Sequence, residues 1–132
     1  MLSTLEISAT GLEARRVWMN TIAENIANAE TTRDAAGNPN PYRRQHPIFA
    51  ADPQGGAVGV RVKDVVADLS PFQVRHEPGH PDADSEGRVR YPNVNVVHEM
   101  VDMLMASRAY EANVTAMDAT KSMMASALRI IG

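Results

Sequence analysis

The stretch NVVHEMVDMLMASRAYEANVTAMDATKSMMASALRII, residues 95–131, carries the longest helical pattern in the chain. Its apolar residues recur at intervals of seven, with companions three or four positions away, so they share one side of a helix. The stripe consists of Met100, Met103, Tyr110, Val114, Met117, Met124, Leu128 and Ile131. Asn95 is a suitable N-cap, and Glu99 and Asp102 follow near the helix start. The pattern predicts one helix of roughly 36 residues and about 54 Å, longer than a small domain needs.

A row of small residues lies on another face of the same predicted helix. Its members are Ala106, Ala109, Ala112, Ala116 and Ala119, at spacings of three and four. Alanine is the best helix former, so helix propensity alone is one explanation. The other is close approach by neighbouring helices on more than one side. A single helix of the same chain covers one stripe and not two, so the second explanation indicates contacts between subunits, with Ala109 and Ala112 as candidate contact residues.

A second helical pattern covers residues 3 to about 28. Its apolar positions are Leu5, Leu12, Met19, Ile22 and Ile26. All of these except Ile22 are spaced seven residues apart. Gly11 interrupts this pattern at a cost of up to about 1 kcal/mol relative to alanine. The sequence therefore predicts a helix at each end of the chain, with the N-terminal one dependent on packing.

The middle of the chain, residues 31–93, has a different composition. It holds all eight prolines and six of the eight glycines, which excludes a long helix. Short alternations at Val58–Val62, at Phe72 and Val74, and at Val89 and Tyr91 indicate strands. Residues 35–41 and 52–56 have the composition of turns or loops.

These patterns together predict a mainly α protein. Its N- and C-terminal helices form an antiparallel coiled coil, because the residues between them can fold back compactly at one end, and a small irregular β insertion lies between them. We divide the chain into an N-terminal helix, residues 1–30, a β-rich middle module, residues 31–93, and a C-terminal helix, residues 94–132.

Composition narrows the possible function classes. The 132 residues have a formal net charge of −3, so no strong basic field draws the chain to nucleic acid. There is no cysteine, which excludes disulfide and thiol chemistry. The sequence contains no run of about 18 apolar residues, so it predicts no membrane-spanning helix. The N-terminal MLSTLEISATGLEARR lacks the basic and apolar regions of a cleaved secretory signal, so none is expected.

The stretch DADSEGRVRYPN, residues 82–93, resembles a calcium-binding loop in the spacing of Asp82, Asp84 and Gly87. Such a loop needs a bidentate acidic residue at its twelfth position and a helix on each side. The twelfth residue here is Asn93, and the preceding HEPGHP has two prolines, so we expect a polar loop leading into a strand.

A loop metal site formed by His76, His80, Asp82 and Asp84 is a weaker alternative. No serine, threonine or lysine nucleophile stands in a recognisable setting, and no glycine-rich phosphate loop follows a strand. The sequence therefore predicts no enzyme, no cofactor and no metal.

Several motifs, in order along the chain, resemble a known family. The segment NIANAETTR, residues 25–33, is similar to the Asn-Ile-Ala-Asn signature of bacterial flagellar axial proteins and includes Asn25 and Asn28. The C-terminal segment from residue 93 resembles that of rod and hook proteins. Within this family, PYRR, SPF and PGHPDADSEGRVRYPNVNVV are similar to the proximal rod proteins of the basal body. Glu30 stands where such proteins often carry another asparagine.

The resemblance implies a structural subunit of a hollow helical rod that crosses the periplasm. The rod serves motility as a drive shaft, and its hollow centre is the export channel. It implies assembly with itself, with other rod proteins and with MS-ring or export-gate adapter proteins at the rod base. It also implies passage through the flagellum-specific type III export apparatus without a cleaved signal, and an inner tube domain formed by the two terminal helices. The alternative is a cytoplasmic coiled-coil adaptor or export chaperone, which would remain a small oligomer.

Overall fold

The computed structural model describes residues 2–53 and 58–131 and confirms the mainly α architecture with a small antiparallel β insertion. The elements in chain order are α1 (Leu2–Ala27), β1 (Gln45–Asp52), β2 (Gly59–Ala67), β3 (Gln73–His76), β4 (Arg88–Tyr91) and α2 (Val96–Ile131). Both helices lie within a residue or so of the predicted bounds. The backbone N–H of His98 donates to the Oδ1 atom of Asn95 at 3.2 Å, which confirms Asn95 as the N-cap of α2.

The two helices pack antiparallel along a seam. A Cβ added to Gly11 would lie 2.8 Å from the Nδ2 atom of Asn113, and Asn25 donates a hydrogen bond to Glu99. The partner's number in α2 therefore falls as the number in α1 rises. The side-chain amide of Asn113 occupies the space beside position 11 that a Cβ there would approach. Extending this pairing places Leu2 opposite Ser122, so the last turns of α2 extend past the first described residue of α1.

A β-hairpin covers another side of α1. Strands β1 and β2 pair antiparallel, and the register shifts between Ile48 and Phe49, where a bulge bends the hairpin. The ring of Phe49 meets Trp18 of α1 edge to face, with 6.3 Å between ring centroids. The backbone N–H of Val60 donates to the Oγ1 atom of Thr10 at 3.2 Å. These contacts fix the hairpin against the middle of α1.

The sequence did not predict β1. Pro47 lies inside it and removes one backbone donor, which is tolerated because both strands of a two-stranded sheet are edge strands. The predicted strand around Val58–Val62 corresponds to β2, although Val58 itself precedes that strand. In the loop predicted at 52–56, Asp52 ends β1, Pro53 follows it, and residues 54–56 lie outside the described part of the chain.

A second antiparallel hairpin, β3 and β4, forms a small core beside the end of α1. Val89 is fully buried, and Tyr91, Val94 and Ala29 are also buried. Strand β3 begins one residue after Phe72, and β4 contains both residues of the alternation at 89 and 91. No helix within residues 2–53 and 58–131 combines the length and apolar character required to cross a membrane.

Replacing Ile22 with alanine tests the packing of α1. Ile22 is 2% exposed and is among the largest fully buried side chains. We expect Ile22→Ala to lower the free energy of unfolding by about 2–5 kcal/mol, since it leaves a cavity. Ile7, which is 42% exposed, provides the matched control. Ile7→Ala should cost below about 1 kcal/mol in the same urea titration, and equal losses would contradict the burial described here.

Candidate functional site

Asn25, in the last turn of α1, joins three parts of the fold. It is 1% exposed, and its Nδ2 atom donates to the Gln45 carbonyl at 2.8 Å and to the Oε2 atom of Glu99 at 3.1 Å. Its Oδ1 atom accepts from the Gln45 backbone N–H at 2.9 Å and from the Tyr42 hydroxyl at 3.0 Å. The amide therefore uses its whole hydrogen-bonding capacity to connect α1, the start of β1 and the start of α2.

Glu99 is the buried charge at the centre of this junction. Its carboxylate is fully buried, and its Oε1 atom accepts a hydrogen bond from the Nε atom of Arg44. Asp68 and Asp102 each approach the Arg44 guanidinium at 3.7 Å. A buried carboxylate is tolerated only when it is paired and hydrogen-bonded, which Arg44 and Asn25 together achieve.

The charge of Glu99 also affects Tyr42. Burial raises the pKa of the Tyr42 hydroxyl, and the carboxylates of Glu24 and Glu99 raise it further. The hydroxyl is neutral and donates a hydrogen bond to the Oδ1 atom of Asn25. The junction thus has a defined direction of hydrogen bonding.

The second asparagine of the NIAN segment has a local role. The Nδ2 atom of Asn28 donates to the Glu24 carbonyl at 2.9 Å, and its Oδ1 atom accepts from the Thr31 hydroxyl at 3.2 Å. These bonds satisfy groups at the end of α1. Asn28 is half-buried, and its hydrogen bonds span only three or four residues. The two asparagines therefore differ in function: Asn25 connects elements, and Asn28 ends a helix.

Asp82 ties the loop before β4 to the segment after α1. Its carboxylate accepts from the Thr32 hydroxyl and from the Nε atom of Arg33, each at 2.7 Å. The Thr32 hydrogen bond, followed by that of Arg33, holds the pKa of Asp82 below its usual value. The ion pair between Arg75 of β3 and Glu30 also joins this hairpin to the segment after α1. The predicted polar loop is therefore fixed to the end of α1.

The remaining residues of the DADSEG loop organise its own backbone. The Oδ1 atom of Asp84 accepts from the backbone N–H groups of Glu86 and Arg88, at 2.9 and 2.8 Å. Gly87 has a φ of 73°, and a Cβ there would lie 3.0 Å from Pro78. The loop therefore needs glycine at this position.

The histidines of the alternative metal site serve this loop as well. The Nδ1 atom of His80 accepts from the Asp82 backbone at 3.0 Å, and the ring of His76 lies against Gly87. Within the part of the chain that the structure describes, no three histidine, aspartate or glutamate residues are grouped so as to hold a metal ion. The carboxylates of Asp82 and Asp84 accept hydrogen bonds from neighbouring protein groups.

The predicted packing residues divide between the seam and the surface. In α1, Ile22 and Asn25 are buried, and Leu5, Leu12, Met19 and Ile26 are half-buried. In α2, Met103, Ala109, Met117 and Met124 are half-buried. The predicted residues of α2 that remain exposed are Met100, Tyr110, Ala112, Val114, Leu128 and Ile131. A role for these residues in assembly stays a prediction.

The alanine row does not lie on one face. Ala106 is fully buried in the seam with α1, whereas Ala112, Ala116 and Ala119 are exposed. Helix α1 covers the side of α2 that carries Ala106 and, two heptads later, the buried Thr120. Ala106 therefore belongs to the seam. Our interpretation of the row as a separate face was therefore wrong for Ala106.

A different set of residues forms a continuous exposed face on α2, which we call the outer stripe. It consists of Val101, Met105, Ala112, Ala116, Ala119, Met123 and Ile130, all exposed. Their spacings of three, four and seven place them on one side of the helix. The sequence analysis missed the four large residues of this stripe. The same spacings are visible in the sequence, but the side facing α1 has to be known before this side can be recognised as free.

Comparison with known proteins agrees with the order of these elements. The family described as "Flagella basal body rod protein" matches residues 5–33, and "Flagellar basal body rod FlgEFG protein C-terminal" matches residues 85–130. The chain is 43% identical to the flagellar basal-body rod protein FlgC of Borreliella burgdorferi, over 99% of this chain and 97% of that protein. It is 40% identical to FlgC of Bacillus subtilis, over 96% of this chain and 95% of that protein. It is 39% identical to FlgC of Escherichia coli O6:H1, over 98% of this chain and 97% of that protein.

The two asparagines of the NIAN segment allow a matched test of the junction. Asn25→Ala removes one of the two partners of the Glu99 carboxylate, which keeps Arg44, and both partners of the Gln45 backbone groups in a buried site. We therefore expect a loss of about 3 kcal/mol or more in the free energy of unfolding. Asn28→Ala removes bonds at a half-buried helix end and should cost below about 1 kcal/mol. Urea unfolding followed by circular dichroism measures both. Similar losses would show that Asn25 does not hold the junction.

The pH dependence of stability tests the contact of Asp82. Its pKa is lower in the folded chain than in the unfolded one, so the carboxylate stabilises the fold above its unfolded pKa of about 3.9, and this contribution is lost as the pH falls through the folded pKa. Wild type should be more stable than Asp82→Asn near neutral pH, and the difference should shrink in the acid range.

Asp118→Asn, on the exposed surface of α2, serves as the control and should change little at any pH. Urea titrations of the three proteins across this pH range provide the measurement. A difference between wild type and Asp82→Asn that does not vary with pH would contradict the assignment.

Proposed function

Because the chain belongs to the family of flagellar basal-body rod proteins named FlgC, we propose that it polymerises helically into the drive shaft that crosses the periplasm and encloses the export channel. The chain is a structural subunit of the rod and not an enzyme. It assembles with other rod components in the basal body. The further partners that we propose are MS-ring or export-gate adapter proteins at the rod base.

The observation that carries this proposal is the outer stripe of α2. The seam side of α2 is covered by α1, but the outer stripe faces solvent along most of the helix. A continuous exposed apolar face on a helix indicates a site for another helix. A contact between two different faces does not close into a dimer, and it propagates as a ring or a helical filament. Such propagation is what a rod subunit requires.

The middle of the outer stripe determines the kind of contact. Ala112, Ala116 and Ala119 are small, so the axis of a second helix can come close to the axis of α2 there. Strands β1 and β2 pack on α1 and leave this part of α2 open. We therefore propose that residues 1–30 and 94–132 form the inner tube domain, with the middle module, residues 31–93, facing outward.

Delivery to the rod is the other part of the proposal. Family membership supports passage through the flagellum-specific type III export apparatus, without a cleaved signal peptide as the resemblance implies. The alternative of a cytoplasmic adaptor or chaperone is not favoured, since relatives that match nearly the whole chain are named as rod proteins. An adaptor would keep a fixed small oligomeric state at every concentration, whereas a rod subunit grows.

Charges placed on the outer stripe test the proposal. Ala112→Glu combined with Ala116→Glu should abolish motility and remove the protein from isolated basal bodies, because bulk and charge prevent close helix contact. The control adds the same two charges to the polar face, by Thr115→Glu and Ser122→Glu, both exposed positions. It should retain motility. Circular dichroism of each purified variant checks that α2 still forms. Basal bodies that contain the Ala112 and Ala116 double variant at wild-type amounts would disprove this role of the stripe.

A further inference from the structure

The large exposed apolar residues of α2 concentrate at its two ends. Near its start, Val97, Met100, Val101, Leu104 and Met105 are between 51% and 68% exposed, and we call them the start patch. In its last turns, Leu128 is 70% exposed and Ile130 and Ile131 are each 85% exposed, and we call them the end patch. Between the patches, from residue 106 to residue 127, the exposed large apolar side chains are Tyr110 and Val114, each at 37%, and Met123 at 57%. The large exposed apolar side chains of the helix are therefore densest in these two patches.

The two patches have neighbours of opposite charge. An open cavity of about 480 Å³ borders the start patch at Val101, and its walls include the carboxylates of Asp68, Glu99 and Asp102 with one guanidinium, that of Arg44. Glu99 is used within the junction, whereas Asp68 and Asp102 keep 27% and 33% of their side-chain surface exposed. The cavity therefore offers accessible negative charge beside an apolar surface.

The end patch carries the complementary charge. Arg129 lies between Leu128 and Ile130 in the last turn of α2, and its Nε atom is 3.4 Å from the Ala125 carbonyl of the same helix, on the exposed surface. A basic residue flanked by exposed leucine and isoleucine matches a surface that combines valine and methionine with carboxylates.

We propose that the end patch of one copy of this chain docks on the start patch of a second copy, with Arg129 facing Asp68 and Asp102 at the mouth of the cavity. This inference rests on the proposed function, because it specifies one contact through which copies follow one another. If each patch met its own counterpart, Arg129 would face Arg129 and Asp102 would face Asp102, and like charges across an interface oppose association. The charges therefore favour the head-to-tail arrangement, which remains open for further copies.

Cysteine pairing tests this contact directly, since the chain contains no cysteine of its own. In one chain, residues 101 and 130 are about 44 Å apart along α2. A disulfide needs Cα atoms within about 7 Å of each other. The cysteines of a Val101→Cys and Ile130→Cys protein can therefore pair only between copies. The variant replaces the native chain in flagellated cells, and isolated basal bodies are oxidised and separated without reductant. The expected result is a ladder of disulfide-linked species. A Thr115→Cys and Ile130→Cys protein, with one cysteine on the polar face, is the matched control and should give none.

Each other outcome overturns the inference in a distinct way. An equal ladder from the control would mean that collisions and not docking bring the cysteines together. Dimers from Ile130→Cys alone would mean that the end patch meets itself. Incorporation of the 101 and 130 variant without any ladder would remove the inference and leave the proposed function intact, whereas absence of the wild-type chain from basal bodies would remove the proposed function.

The contribution of Arg129 is measured in the same cysteine pair. Arg129→Glu should reduce the linked fraction several-fold, and Arg129→Lys should keep most of it, because lysine retains the positive charge. An unchanged linked fraction in the Arg129→Glu protein would contradict the placement of Arg129 against Asp68 and Asp102.

Discussion

The hydrogen bond between Asn25 and the buried carboxylate of Glu99 is the contact on which the arrangement of the molecule depends. A buried carboxylate is costly without hydrogen-bonding partners, and Arg44 and Asn25 supply them for Glu99. Sliding α2 by one turn would separate Glu99 from Asn25 and break the hydrogen bond between them. The polar junction therefore fixes the register of the two helices in a way that a purely apolar seam would not, because apolar side chains tolerate several registers. This register then determines which face of α2 is left free.

The seam itself is rich in small and polar residues. Ala106 and Thr120 are buried there, and Gly11 lies against Asn113. Such a seam gives close approach and a defined register, but it removes less apolar surface from water than a seam of leucines would. The large apolar side chains at the ends of α2 point away from α1. The chain thus keeps a substantial part of its hydrophobic surface for contacts with neighbours, which is the distribution expected of a subunit whose stability is completed by assembly.

The sequence predicted the helices well because their apolar periods are long, and it predicted the middle less well because short strands carry little signal. Strand β1 was missed since Pro47 argues against a strand unless its edge position is known. Asn25 was selected through a family resemblance and not through its chemistry, and Glu99 was interpreted only as a charge near a helix start. No local pattern distinguishes a helix-start glutamate in solvent from one that is fully buried, because the burial comes from residues 42–45, far away in the sequence. The outer stripe was missed for a similar reason, as its recognition requires the position of α1.

The middle module is attached to α1 at two levels, the middle of the helix and its end, and this bears on how a shaft transmits force. Along the middle of α1, the β1–β2 hairpin is held by Thr10 and by the contact of Trp18 with Phe49. Near its end, Asp82 binds the segment that follows α1, and Asn25 holds the first residue of β1. A module attached at one point could pivot, whereas attachment at two points about two turns or more apart opposes rotation about the helix axis. If copies join through α2, as we propose, the middle module of each copy would keep a fixed orientation, so that torque applied to the helices reaches the outside of the rod.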